Sequence, residues 1–310
     1  MMDSFVDPVP TPVRNPTYLE PFEFERNFEL HKWRSWFSRN WTLFVHLGFV
    51  YVLLIQIGTW WMKNRRPYKL QFLLTVWNIG LAFFSLAGFL RSAPEMLFIY
   101  QTRSNPFFQL VCSRQDGNIV SAYWAWVGTF SKAIELGDTA FIVLRKTPLI
   151  FLHWYHHVTV MLYTSYTYEA QDPCHRFFIV MNYFVHSVMY SYYALRALGI
   201  KVPRLISMVI TSLQLLQMIF GCALNAYSYY ILKTGAGVDC ARLEHNVIIA
   251  TAMYVSYLIL FAHFFYKTYI VKGGKSHHHH VANTGVDHKN KSHNNKAANG
   301  TANGVKAKAN

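Results

Sequence analysis

The sequence predicts an all-α polytopic membrane protein with seven transmembrane helices, and three observations carry this prediction. Hydrophobic residues make up 53% of the 310-residue chain and charged residues only 14%, which is low for a soluble domain. Two windows free of formal charge, Trp41 to Trp61 and Leu70 to Leu90, are each long enough to cross about 30 Å of hydrocarbon. Five more apolar windows of similar length follow, at Ala122 to Leu144, Leu149 to Tyr168, Phe177 to Leu195, Leu205 to Leu232 and Val247 to Ile270.

The first 40 residues are polar and mixed in charge, with prolines at Pro8, Pro10, Pro12 and Pro16, so an N-terminal signal peptide is not expected and the first span is expected to serve as the targeting signal. Connections rich in Lys and Arg (Lys63, Arg65, Arg66 and Lys69; Arg145 and Lys146; Arg196, Lys201 and Arg204) alternate with poorer ones. The richer set is expected to face the cytosol. Seven spans then place the N-terminus outside the cytosol and the C-terminus within it, although Lys32, Arg34 and Arg39 pull the other way. This divides the chain into a non-cytosolic segment 1–40, a membrane domain 41–272 and a basic cytosolic tail 273–310.

The net charge of +14 comes largely from the cytosolic edges and the tail. It fits anionic lipid, and no nucleic-acid partner is expected. The tail lacks the apolar content to fold, and its His277 to His280 run reads as a solvated low-complexity stretch. Cys112, Cys174 and Cys240 fall in non-cytosolic connections, where a disulfide can persist. A Cys112–Cys240 bridge is the expected pairing, though sequence alone does not assign partners.

Polar side chains inside a span are costly and mark function. In the third span Lys132, Glu135 and Asp138 recur every three residues with Thr139 beside them, so one continuous helix would carry them as a single polar stripe. An internal Lys132–Glu135 ion pair would explain part of it, but Asp138 still needs a donor from elsewhere. His153, His156 and His157 of the fourth span share an arc of about 100°. In the fifth span Asn182, His186, Met189 and Tyr193 lie on one side with Tyr190 next to them, and the sixth offers Thr211, Gln214 and Gln217. Asn, Gln and Tyr also serve as interhelical hydrogen-bond glue. At 1.5 Å per residue from the cytosolic ends, His156, Asp138, His186 and Gln214 fall about 10–15 Å deep, so the four stripes can meet in one chamber.

Three chemistries suit such a chamber. A di-iron oxidase or desaturase would use the HxxHH spacing, but few imidazoles lie near, and Glu135 and Asp138 would have to complete the ligand set. A seven-helix receptor or transporter rests on span count alone. Transfer catalysis on a lipid-like substrate needs a general base or nucleophile; with no cysteine on the stripes, histidine fills that role by taking an acyl group from a thioester.

Taken together, "KAIELGDT", "HWYHH", "HSVMY" and "TSLQLLQ", in this order on four successive spans, resemble the ELO family of very-long-chain fatty-acid elongases from about Leu30 to Lys272. The resemblance implies a 3-oxoacyl-CoA synthase of the endoplasmic reticulum that condenses a long-chain acyl-CoA with malonyl-CoA, releasing carbon dioxide and CoA. It implies a fold in which six of the seven helices surround an acyl tunnel closed at its lumenal end. His156 would carry the acyl group, His153 and His157 would orient it or move protons, and His186 would lie across the site. Lys132, Glu135, Asp138, Asn182, Met189, Tyr190, Gln214 and Gln217 would position the thioester or stabilise the enolate. No cofactor and no metal is implied, because decarboxylation drives the reaction. CoA phosphates would meet Arg145, Lys146, Lys201, Arg204, Lys267 and Lys272 at the rim, residues that also serve as positive-inside anchors. Implied partners are the bilayer, the ketoacyl reductase, dehydratase and enoyl reductase of the elongation cycle, and a second copy of the chain. The terminal "KAKAN" looks like a dilysine retrieval signal. Trp154, Tyr155 and "NYFVHSVMYSYYALRA" look most like the subgroup acting on saturated and monounsaturated chains.

Overall fold

The computed structural model describes residues 13–235 and 240–271, and these are helical except for connections and one isolated bridge between Arg14 and Asn118. A short α1 (Glu23–Arg26) precedes α2 (Leu30–Met62) and α3 (Gln71–Thr102). Then come α4 (Pro106–Cys112), α5 (Ile119–Ile134), α6 (Gly137–Leu144), α7 (Phe151–Thr167), α8 (His175–Ala197), α9 (Arg204–Thr234) and α10 (Glu244–Phe265), which runs on as a π-helical segment to Val271.

Among the described residues four helices are long and apolar enough to cross a membrane: Leu30–Met62, Gln71–Thr102, Arg204–Thr234 and Glu244–Val271. The other three expected spans fall short for a physical reason. The third is broken at Glu135–Leu136 into α5 and α6, the fourth is a 17-residue helix, and the fifth carries Arg176, Asn182, His186 and Arg196. Among the polar residues in these three spans, Lys132, Glu135, Asp138, the three histidines of α7, Asn182 and His186 are the candidate site residues. Outward faces of α2 and α3 expose Phe49, Leu54, Trp60, Phe72 and Phe83, as a lipid-facing surface requires. The chain is a multi-pass membrane protein.

Helix α3 packs along α8, α9 along α10 and α2 along α7. The α3–α8 contact is close because Gly88 lacks a side chain: a Cβ there would lie 2.6 Å from the Tyr183 ring, whose hydroxyl donates to Trp124 O at 2.8 Å. That contact fixes the height of Asn182 and His186.

One end of the bundle is covalently tied, since Cys112 and Cys240, 128 residues apart, form a disulfide. Cys174 is a buried free thiol beside it. Next to the bridge the buried Arg242 guanidinium meets Asp172 Oδ1 at 2.9 Å and donates to Ser228 Oγ at 2.7 Å and Asn225 Oδ1 at 3.1 Å, joining the loops before α8 and α10 to α9. The N-terminal segment closes over the same end through Tyr18 stacked on Phe98 and the buried Glu25, which accepts from Arg91 and from Trp124 Nε1. The candidate site lies towards the opposite end.

Candidate active site

The break between α5 and α6 organises the site. Asp138 N bonds Glu135 O at 3.1 Å and Thr139 N bonds Leu136 O at 3.2 Å, a tighter turn than the α-helix. The expected single stripe is therefore split into two groups. Lys132 Nζ lies 2.8 and 3.1 Å from the two Glu135 carboxylate oxygens and donates to Asn182 Oδ1 at 2.7 Å. Ser131 Oγ donates to Glu135 at 2.9 Å. Asn182 Nδ2 contacts His186 Nε2 at 3.1 Å, and His186 Nδ1 lies 3.7 Å from Glu135. With the amide donating to Nε2, the neutral ring carries its proton on Nδ1, facing the carboxylate.

Asp138 belongs to the second group. It accepts from Trp77 Nε1 at 2.5 Å and from Tyr190 OH at 2.7 Å, and His157 Nε2 approaches to 4.0 Å. Gly137 makes room for this, because a Cβ there would sit 2.9 Å from the Trp77 ring. The following residue, Thr139, links Tyr51 OH at 2.7 Å to His153 Nε2 at 3.0 Å.

Asp138, His153, His157 and His186 of these groups line a cavity. Its walls include Asn78, Asp138, His153, His156, His157, His186, Met189, Tyr193, Gln214 and Phe261. The His153 and His157 rings are 4.4 Å apart. His156 differs from His153 and His186. Its ring packs on Tyr257 at 4.8 Å and near Phe261 at 6.1 Å, and no described residue hydrogen-bonds its nitrogens. It thus presents a free imidazole at the cavity wall, while His153 and His186 are held by partners.

The other sequence candidates separate by position. Gln214 donates to Met189 Sδ at 3.2 Å inside the cavity, whereas Gln217 is buried away from its lining. Lys146 donates to Lys63 O and Arg65 O at 3.0 Å, and Arg204 donates to Thr268 O at 3.0 Å. Lys201 and Lys267 are exposed, Arg145 is half-buried, and none of these five lines the cavity. Lys272, His277 to His280 and the terminal lysines lie outside the described residues. Among the described residues no three His, Cys, Asp or Glu side chains are placed to share one metal ion.

Sequence reasoning missed Tyr51, Trp77 and Asn78, because the polar atoms of α2 and α3 are isolated within apolar windows. The signal available was Asn78 itself, an amide in the middle of an uncharged span.

A family model described as ELO: GNS1/SUR4 matches residues 36–277. The chain belongs to the ELO family. Very long chain fatty acid elongase 6 of Drosophila melanogaster is 47% identical over 261 residues, covering 84% of this chain and 82% of its own. The protein of that name from Gallus gallus is 42% identical over 259 residues, 83% of this chain and 96% of its own. Very long chain fatty acid elongase 3 of Homo sapiens is 42% identical over 247 residues, 79% and 89% of the two chains. For this ELO member the matched region contains every helix that lines the cavity.

Proposed function

We propose that this ELO protein condenses a long-chain acyl-CoA with malonyl-CoA to give 3-ketoacyl-CoA, carbon dioxide and CoA, with His156 as the acyl carrier. The observation that carries the reading is the free His156 imidazole in a cavity walled by three more histidines, in a chain of this family. One ring nitrogen attacks the acyl thioester carbon, the carbon–sulfur bond breaks, and the proton from the other nitrogen goes to the CoA thiolate. Malonyl-CoA then loses carbon dioxide, and the electron pair of that bond becomes an enolate. The enolate carbon attacks the acyl-imidazole, and the imidazole leaves and recovers a proton from solvent. His153 and His157 orient the ring, while Lys132, Glu135 and Asn182 hold His186 in place. Decarboxylation supplies the driving force, so no cofactor takes part.

Six helices from α3 onward, counting α5 and α6 as one and leaving out the short α4, surround the acyl tunnel with α2 outside, giving seven spans within residues 41–272. The tunnel opens at the cytosolic, histidine-bearing end, where the rim cations Arg145, Lys146, Lys201, Arg204, Lys267 and Lys272 meet CoA. The disulfide end faces the lumen of the endoplasmic reticulum, the 273–310 tail is cytosolic, and the product passes to the reductase and dehydratase partners. The motif around Trp154 and Tyr155 supports saturated and monounsaturated chains as substrates.

The test gives membranes carrying the protein palmitoyl-CoA and labelled malonyl-CoA without NADPH. Labelled 3-ketoacyl product is expected from the parent and none from His156→Ala. Absence of product at every chain length, or full activity in the variant, refutes the reading.

A further inference from the structure

We infer that Asn78 is a further catalytic residue, donating its side-chain N–H to the malonyl thioester oxygen as that oxygen becomes an enolate; this rests on the condensation reading above. Asn78 lies on α3, is 3% exposed, and lines the same cavity as His156, His157 and His186. Its Nδ2 has no hydrogen-bond partner. Lys132, Glu135, Asp138, Asn182 and Tyr190 around the same site each have one or more. A buried amide donor left unpaired is unfavourable, and such a group is retained where something absent from the resting protein completes it.

The neighbouring residue narrows what that is. Trp77 is committed to Asp138, which fixes this turn of α3 against α6 and leaves the amide one residue on as the polar group α3 contributes to the cavity lining. The acyl group carried by His156 is held from α7, so the second thioester must occupy the space bounded by α3, Met189 and Gln214. Its oxygen is nearly neutral before decarboxylation and anionic after it. A neutral, preorganised amide favours the second state without binding a resting anion too tightly, which is the requirement for transition-state stabilisation.

The two half-reactions test this. Purified full-length protein is given palmitoyl-CoA alone, and acyl adduct and released CoA are measured. It is then given malonyl-CoA, and carbon dioxide and 3-ketoacyl product are measured. Asn78→Leu is expected to form adduct at nearly the parental rate while condensation falls on the order of a hundredfold, the usual loss for one oxyanion donor. Asn78→Ser, which keeps a donor and removes volume, is expected to recover part of that loss and guards against misfolding of the leucine variant. Condensation by Asn78→Leu near the parental rate, or an equal loss in both half-reactions in both variants, overturns the inference. A parent that makes no product overturns the condensation reading instead.

Discussion

Lys132→Met separates what the polar cluster does for folding from what it does for chemistry. In the parent, Lys132 Nζ makes contacts of 2.8 and 3.1 Å to Glu135 and 2.7 Å to Asn182, and both ionic side chains are 4% exposed. The substitution leaves Glu135 buried with one hydroxyl at 2.9 Å and His186 at 3.7 Å. Removing one member of a buried ion pair costs about 3–5 kcal/mol, because the other charge stays desolvated. Lys132→Met combined with Glu135→Gln removes the charge as well, leaving a deficit of roughly 1 kcal/mol for each lost neutral bond. At roughly 2 °C per kcal/mol for a chain of this size, the single variant melts about 6–10 °C below the parent and the double variant about half as far below. Thermal melts of the purified proteins in detergent read the difference, while condensation is lost in both. A double variant that melts no higher than the single would refute the view that Glu135 is held as a paired carboxylate.

Three further outcomes are expected. Gly137→Ala puts a Cβ 2.9 Å from the Trp77 ring, so the indole turns away from Asp138; condensation falls about tenfold, as for one buried hydrogen bond, with a shift in tryptophan fluorescence, and unchanged activity and emission would exclude it. Arg242→Met strands the buried Asp172 and lowers stability by about 3–5 kcal/mol; melting of the variant within a degree of the parent would contradict this. Burial pushes the Glu25 carboxyl up, but bonds from Arg91, Trp124 and Phe22 outweigh it and leave it below its ordinary value of 4.5. A carboxyl lowered in the folded state contributes stability that is complete above that ordinary value and lost as pH falls through the folded one. Protease cleavage between α1 and α2 is therefore expected to rise below about pH 4.5, and Glu25→Gln to cleave readily at neutral pH; a parent and variant with the same pH profile would rule out this role.

The helices were legible because apolar windows report burial in any apolar medium, and the window from Phe177 to Leu195 lies within α8 (His175–Ala197). The histidines were legible because His153, His156 and His157 recur within one turn and cannot all be incidental. What periodicity could not reveal was the break after Ile134, since Lys132, Glu135 and Asp138 keep helical spacing through it. Nor could it reveal which polar atom meets which. The contact between Trp77 and Asp138 spans 61 residues and depends on Gly137 having no side chain, a condition set by helix packing. The Arg242 cluster was hidden for the same reason, as its partners lie on two segments distant in sequence, the loop before α8 and helix α9.

The partner list of each polar group orders their roles. Lys132, Glu135, Asn182 and His186 are joined in one chain of contacts, and Tyr51, Thr139 and His153 in another. Groups locked in this way are expensive to move, and they suit the task of holding geometry. His156 and Asn78 stand on different helices of the same cavity without such partners. A nucleophile that must form and break a covalent bond in each turnover, and a donor that must wait for charge to develop, gain nothing from a permanent partner in the resting protein. The unfavourable energy of leaving them unpaired is offset by the locked chains and the disulfide-bound far end of the bundle. Substitutions at the locked residues should therefore change stability and activity together, whereas substitutions at His156 and Asn78 should lower activity in proteins that melt at or above the parental temperature.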